Sequence, residues 1–250
     1  MNEVNSDHPR AESLRIRKKL SEGFRKGLVT PEGLAAHGRG EAFDYILGER
    51  TTKEAEKAIE AAAAEIIKAK NPVFSVNGNV SALVCESIAE LSERYDIDVE
   101  VNLFHESEDR EKKIAEHLKD CGVDRVLGVE EEYSTEFSDI KSSRKKVDKR
   151  GQKRGDVIVV PLEDGDRTEA LVKSGKTVIT VDLNPMSRTA RAAHITIVDN
   201  IVRAMPILIE KIGEIKNAPP ERIEQIIENF DNEENLRRTI ESMVNRLKKI

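Results

Sequence analysis

The residues best suited to chemistry follow the apolar runs. In VDLNPMSRTA, Val181 to Ala190, a hydrophobic run stops at Asp182 and leads through Leu183 to Asn184, Pro185, Arg188 and Thr189. A carboxylate, an amide, a guanidinium and a hydroxyl so close together form a set suited to a phosphorylated ligand. The guanidinium offers a planar fork to a phosphate, and the carboxylate and amide orient a polar ligand or a metal. Asn184 before Pro185 predicts a helix start there, because a pre-proline residue and an N-cap share non-helical angles. The N–H groups of such a start make an anion seat. Comparable sets follow other apolar runs: Asn77, Gly78 and Asn79 after PVFSV, Asn102 after DVEV, and Asp199 and Asn200 after HITIV. After DVIVVPL come Glu163, Asp164, Asp166, Arg167 and Thr168. Asp166 reads as the cap of a helix from Arg167 to Ser174, with Glu169 as its capping-box partner.

Gly38-Arg39-Gly40 reads as a break between two short helices, where glycines let the backbone approach a ligand while Arg39 projects. His37 flanks that break and can touch a ligand; His194 opens an apolar run and reads as structural. The chain has no GxxxxGK[ST] loop and no GxGxxG after its first apolar run, so any nucleotide is bound without the usual glycine fingerprints. Its histidines form no HExxH, and no Ser-His-Asp arrangement is legible. Cys85 and Cys121 show no ligand-like spacing and read as free, buried thiols of a reduced cytoplasmic protein.

The elements that must position these groups begin with helices. Residues 1–71 hold no strand-like run; Leu14 to Phe24, Glu41 to Leu47 and Thr52 to Lys70 carry helical patterning, and Thr30-Pro31 marks a capped start. From Pro72 the pattern alternates. PVFSV, DVEVNLF, RVLGV, DVIVV, TVITV and HITIV are strand candidates with helical stretches between them. That alternation predicts an α/β fold: a Rossmann-like, mostly parallel sheet in a three-layer sandwich over 72–215. A charged segment, 130–155, interrupts it as an excursion from the sheet, and a helical tail follows over 216–250. In an open parallel sheet, ligands bind beyond the carboxyl ends of the strands. All five polar sets then converge on one edge.

Composition narrows the class. Lys plus Arg number 41 against 47 Asp plus Glu, a net charge of -6, which argues against a general nucleic-acid binder. No Trp and few aromatics argue against a base-stacking platform. No apolar run nears the length of a membrane span and the N-terminus MNEVNSDHPR is polar, so neither membrane nor export is expected. An NAD-dependent oxidoreductase fits the fold but lacks the glycine fingerprint. A nucleic-acid-binding protein using the basic stretch 141–154 is the other alternative.

Longer motifs carry a resemblance. AHGRGEAFDYILGE, PVFSVNGNVSALV, VEVNLFHE and the run from VVPLEDGDRTEALV through TVITVDLNPMSRTARAAHITIVDNIVRA resemble the archaeal phosphopantothenate synthetases, the 4-phosphopantoate–beta-alanine ligases. So does the N-terminal ESLRIRKKLSEG; the likeness spans about residues 7 to 210. The resemblance implies a homodimeric coenzyme A pathway enzyme that joins 4-phosphopantoate to beta-alanine with ATP and Mg2+, releasing AMP and diphosphate through an acyl-adenylate. It implies ATP contacts at Arg17, Arg39, Asp182, Leu183, Asn184, Arg188, Thr189, Asn200 and Ile201. Arg39, Arg188, Asn77 and Asp164 are the expected catalytic set, and the metal ligands are unassigned. Asn77, Gly78 and Asn79 are candidate donors to the phosphoryl end of phosphopantoate.

Overall fold

The computed structural model describes residues 8, 10–103, 107–137 and 146–249. Positions 141–145 of the basic stretch and 104–106 of the VEVNLFHE motif lie outside the described residues. Three helices lead: α1 (Ala11–Arg25), α2 (Pro31–Leu47) and α3 (Lys53–Lys68). Then strand and helix alternate: β1 (Pro72–Val76), α4 (Gly78–Tyr95), β2 (Asp98–Val101), α5 (Glu108–Asp120) and β3 (Val126–Leu127). A hairpin follows, β4 (Ser134–Glu136) against β5 (Lys146–Asp148), and it fills the charged excursion that the sequence left without assigned structure. The alternation resumes with β6 (Val157–Val159), α6 (Gly165–Lys173), β7 (Thr177–Val181), α7 (Arg188–Ala192), β8 (Ile195–Ile197) and α8 (Ile201–Ile215). Helices α9 (Pro220–Glu228) and α10 (Asn232–Leu247) end the chain.

The six strands of the main sheet are all parallel and lie in the order β3-β2-β1-β6-β7-β8. Setting the hairpin aside, this is the doubly wound order of dinucleotide-binding folds, with its switch point between β1 and β6. Period-two burial explains both covers. Phe74, Val76, Val99, Val159, Ile179 and Val181 face α1, α3, α4, α5 and α8 in the larger core. Val73, Ile158, Val160 and Val178 face α6 and the hairpin residues Phe137 and Val147. A third cluster, Leu47, Leu183, Ala190, Val198, Leu236 and Met243, fastens α2 and α10 to the carboxyl ends of β7 and β8.

Two helix starts differ from expectation and one predicted break is absent. Gly38-Arg39-Gly40 lies inside the continuous helix α2, capped by Thr30, whose hydroxyl accepts from Gly33 N at 3.2 Å, and ended by Gly48 at φ 96°. Asp164, not Asp166, caps α6, accepting from Arg167 N at 2.9 Å. Ser187, not Asn184, caps α7; Asn184 instead closes a turn, its side-chain oxygen accepting from Met186 N at 2.9 Å. Cys85 and Cys121 also depart from expectation: they are joined in a disulfide. Among the described residues no helix is long and apolar enough to cross a membrane.

Candidate functional site

The switch point is held by Asn77. Its side-chain oxygen caps α4 through Val80 N at 3.1 Å, and its amide donates to Pro161 O at 3.2 Å and Leu162 O at 3.1 Å. One side chain thus ties the end of β1 to the chain leaving β6. Gly78 follows because nothing larger fits: a Cβ there would lie 2.1 Å from the Leu28 carbonyl oxygen. Asn79 donates to Gly33 O at 2.8 Å. The side chains of the NGN motif therefore serve the fold, and what remains for an anion is the N-terminus of α4 itself.

Helix α2 crosses the carboxyl ends of β7 and β8 and brings together most of the set expected to meet a nucleotide. A Cβ on Gly40 would lie 3.6 Å from Leu183 Cδ1, so the helix backbone approaches the end of β7 closely. Exposed Arg39 reaches the field of Asp182. Burial pushes the Asp182 carboxyl up; hydrogen bonds from the Ser187 hydroxyl (2.5 Å) and Asn184 N (2.9 Å), and the charge of Arg39, pull the other way. One turn on, Asp44 accepts from the Asn200 amide at 3.1 Å. Asn200 also caps α8, whose first residue is the buried Ile201. Arg17, on α1, is gripped by Glu41 of α2 at 2.8 Å and touches Tyr45. His37 sits among Glu41, Arg17 and Asp44; burial pushes its imidazole down, and its Nε2 has no hydrogen-bond partner among the described residues.

Arg188 and Thr189 begin α7. Arg188 pairs with Asp166 at 2.7 Å and Glu169 at 2.9 Å across α6, and stays 56% exposed. Asp166 and Glu169, expected as a capping box, are its counter-ions. Thr189 is buried and donates its hydroxyl to Glu163 O at 2.9 Å, which ties α7 to the loop bearing Asp164.

Sequence reading missed two charged networks. Half-buried Arg203 of α8 pairs with Asp44 at 2.6 Å and Asp199 at 2.7 Å, and Thr51 donates to Asp199 at 2.6 Å. This network fixes α2 on the end of β8. The only signal was Asp199 with Arg203 four residues on, too common to read. The second lies under the switch point. Glu100 of β2 is fully buried and accepts from Asp148 N, Gln152 N and the Gln152 amide at 3.1, 2.6 and 3.0 Å. Burial, outweighing those donors and the charge of Arg167, pushes its carboxyl up to about 7. Arg167, expected from the sequence among the edge residues, is instead fully buried and donates to Gln152 Oε1.

Beyond β2 and β3 opens a cleft of about 280 Å³ between the hairpin and the start of α5. Its walls include Glu100, Glu108, Glu111, Glu131 and Asp148 against Lys112 and Lys146. That excess of acid suits a cation better than a phosphate. The basic residues of 146–154 are largely answered by carboxylates: Lys146 by Glu131, Arg150 by Asp148 and Glu130, and Arg154 by Asp98.

Comparison with known proteins agrees with this architecture. The family model described as phosphopantothenate/pantothenate synthetase matches residues 54–246. A 4-phosphopantoate–beta-alanine ligase of Thermococcus onnurineus (strain NA1) is 48% identical across 100% of this chain and 95% of its own length. The protein of the same name from Thermococcus kodakarensis is 48% identical across 92% of this chain and 87% of its own. That from Methanosarcina mazei is 44% identical across 99% and 97%.

Proposed function

This chain belongs to the archaeal 4-phosphopantoate–beta-alanine ligase family, and from that premise we propose a two-step reaction at the carboxyl edge of its sheet. The chain is an ATP-dependent ligase that condenses 4-phosphopantoate with beta-alanine to give 4'-phosphopantothenate, a step of coenzyme A biosynthesis. The observation that carries this is likeness along the whole chain, covering α1 and α2 as well as the sheet.

A carboxylate is a poor acyl donor and must be activated. In the first step a carboxylate oxygen of phosphopantoate attacks the α-phosphorus of ATP, and the bond to the β-phosphate breaks as diphosphate leaves. In the second, the free amine of beta-alanine attacks the acyl carbon, the bond to AMP breaks, and the amine sheds a proton. Charge gathers on the phosphoryl oxygens of the first transition state, and preorganised cations stabilise it most. Arg39, whose charge acts on Asp182, and Arg188, at the start of α7, take that role. Exposed ion pairs are worth about 0–1 kcal/mol, so phosphates displace Asp166 and Glu169 from Arg188 at small cost. Asp182 and Asn184, with Leu183 packed behind them, face the adenosine portion; Asn200 and Ile201 bring the α8 N-terminus to the same edge. Arg17 acts behind α2, holding Glu41. Asn77 and Asp164 set the switch-point loop rather than touching the reacting atoms. Mg2+ is usually held by one or two carboxylates plus substrate phosphates, and Asp182 is one of the carboxylates at this edge that would hold it.

The protein acts as a cytoplasmic homodimer without nucleic acid in this reading; the paired basic residues of 146–154 support the last point. Purified chain with ATP, Mg2+, 4-phosphopantoate and beta-alanine should form 4'-phosphopantothenate with AMP in equal amount. ADP in place of AMP overturns the adenylate route and points to an acyl phosphate.

A further inference from the structure

Helices α4 and α5 carry a cluster the ligase reaction does not use. Cys85, His117 and Cys121 present ligand atoms that all lie within 4.8 Å of one another. His117 and Cys121 are four residues apart, one turn along the end of α5, so both side chains leave the same face. Cys85 comes from α4, just past a kink at Val84 (φ -138°, ψ 29°). Lys19 covers the kink, donating to Leu83 O at 3.0 Å. The two sulfurs are bonded, with Cα atoms 5.9 Å apart.

The His117 imidazole completes the ligand set beside the two sulfurs. Cys85 is buried, whereas His117 and Cys121 are half-buried, so an ion can enter from solvent and keep a water.

We propose that Cys85, His117 and Cys121 form a redox-gated site for a thiophilic cation such as Zn2+, closed in the disulfide state and opened by reduction. A thiol or phosphine reductant supplies two electrons, the S–S bond breaks, and each sulfur takes a proton. Binding of Zn2+ then releases both protons as the thiols become thiolates. Two thiolates and one imidazole suit Zn2+, with water completing a tetrahedron. Disulfide and metal are alternative cross-links between the same two helices.

The test uses the full chain, reduced with a phosphine that is then removed, and titrated with Zn2+ against a chromophoric chelator. The reduced protein should bind one ion, at least about a hundredfold more tightly than the disulfide form. Co2+ in its place should show a thiolate charge-transfer band. His117→Gln keeps both sulfurs and the disulfide, and should weaken Zn2+ by about tenfold or more, as loss of a ligand requires. Cys85→Ser should weaken Co2+ binding and lower the intensity of the band, leaving one thiolate; if that variant does not fold, His117→Gln still decides. Equal affinity in the two redox states, an unchanged affinity in His117→Gln, or Co2+ binding without thiolate charge transfer each overturns the proposal.

Discussion

Arg39 and Arg188 face the same strand end with different partners. Arg39 projects from α2 beside Asp182, whereas Arg188 must first leave Asp166 and Glu169. Both arginines are exposed, so replacing either should leave folding nearly unchanged. In the transition state each is worth about 2–4 kcal/mol, so Arg39→Ala and Arg188→Ala should each lower kcat/KM roughly thirty- to a thousandfold. Lysine should restore only part, lacking the two-point fork. Steady-state kinetics with circular dichroism as control checks this, and a loss below threefold removes that arginine from the phosphate site. Arg203 should behave the opposite way. Between Asp44 and Asp199 it neutralises two buried carboxylates, so Arg203→Ala should cost about 3–5 kcal/mol of stability by denaturant unfolding.

Glu100 makes a prediction whose sign follows from burial. Its carboxyl is raised to about 7 in the folded chain, above the ordinary carboxylate range. Between roughly pH 4.5 and 7 the unfolded chain has lost this proton while the folded chain keeps it, so its contribution to stability falls as pH rises. Each pKa unit is worth about 1.4 kcal/mol, which puts the fall on the order of 3 kcal/mol. Glu100→Gln removes that slope. Urea midpoints for both proteins at pH 4.5 and pH 8 should differ by more at the higher pH, in favour of the variant. A pH-independent difference means Glu100 ionises normally.

At the scale of elements, the doubly wound core was legible because its signals are local: continuous apolar strands alternating with helical stretches, and Thr30-Pro31 as the capped start of α2. α2 was misread at Gly38-Arg39-Gly40 because glycine propensity disfavours a helix, and packing of Gly40 against Leu183 and of Asp44 against Asn200 overrides it. The start of α7 was misplaced because Asn184 and Ser187 are both competent caps, and the bond from Ser187 to Asp182 decides between them. The site was legible in its residue types, less so in its partners: nothing local announces that Thr189 donates to Glu163 O or that Arg167 turns inward. α2 now yields a test. A Cβ on Gly38 meets nothing within 4 Å, so Gly38→Ala should raise stability by about 0.8–1 kcal/mol. If phosphates approach this turn beside Arg39, the same methyl should raise KM for ATP. A variant that is more stable with unchanged KM would move the nucleotide away from α2.

At the scale of the whole molecule, the charged and apolar surfaces separate. Most polar side chains of α1 and α10 are solvated, yet Phe24, Tyr45, Met186, Val244 and Leu247 remain exposed on the helices and loop around the β7–β8 edge and on α1. Single exposed apolar residues are ordinary, and none of these alone marks an interface. Tyr45 and Met186 are different, because α2 and the β7–α7 loop that carry them also carry Arg39 and Asp182. A partner covering them would exclude water from the edge proposed for the reaction, and a closed two-fold pair is the commonest oligomer. The chain should therefore run as a dimer by light scattering at micromolar concentrations. Met186→Glu places a charge in the covered patch; it should shift the chain toward monomer and lower turnover together, while thermal unfolding of the isolated fold changes little. A monomer mass for the parent protein ends this reading. A Met186→Glu dimer with full turnover moves the interface to another face, with α10 and its exposed Val244 and Leu247 the next to test.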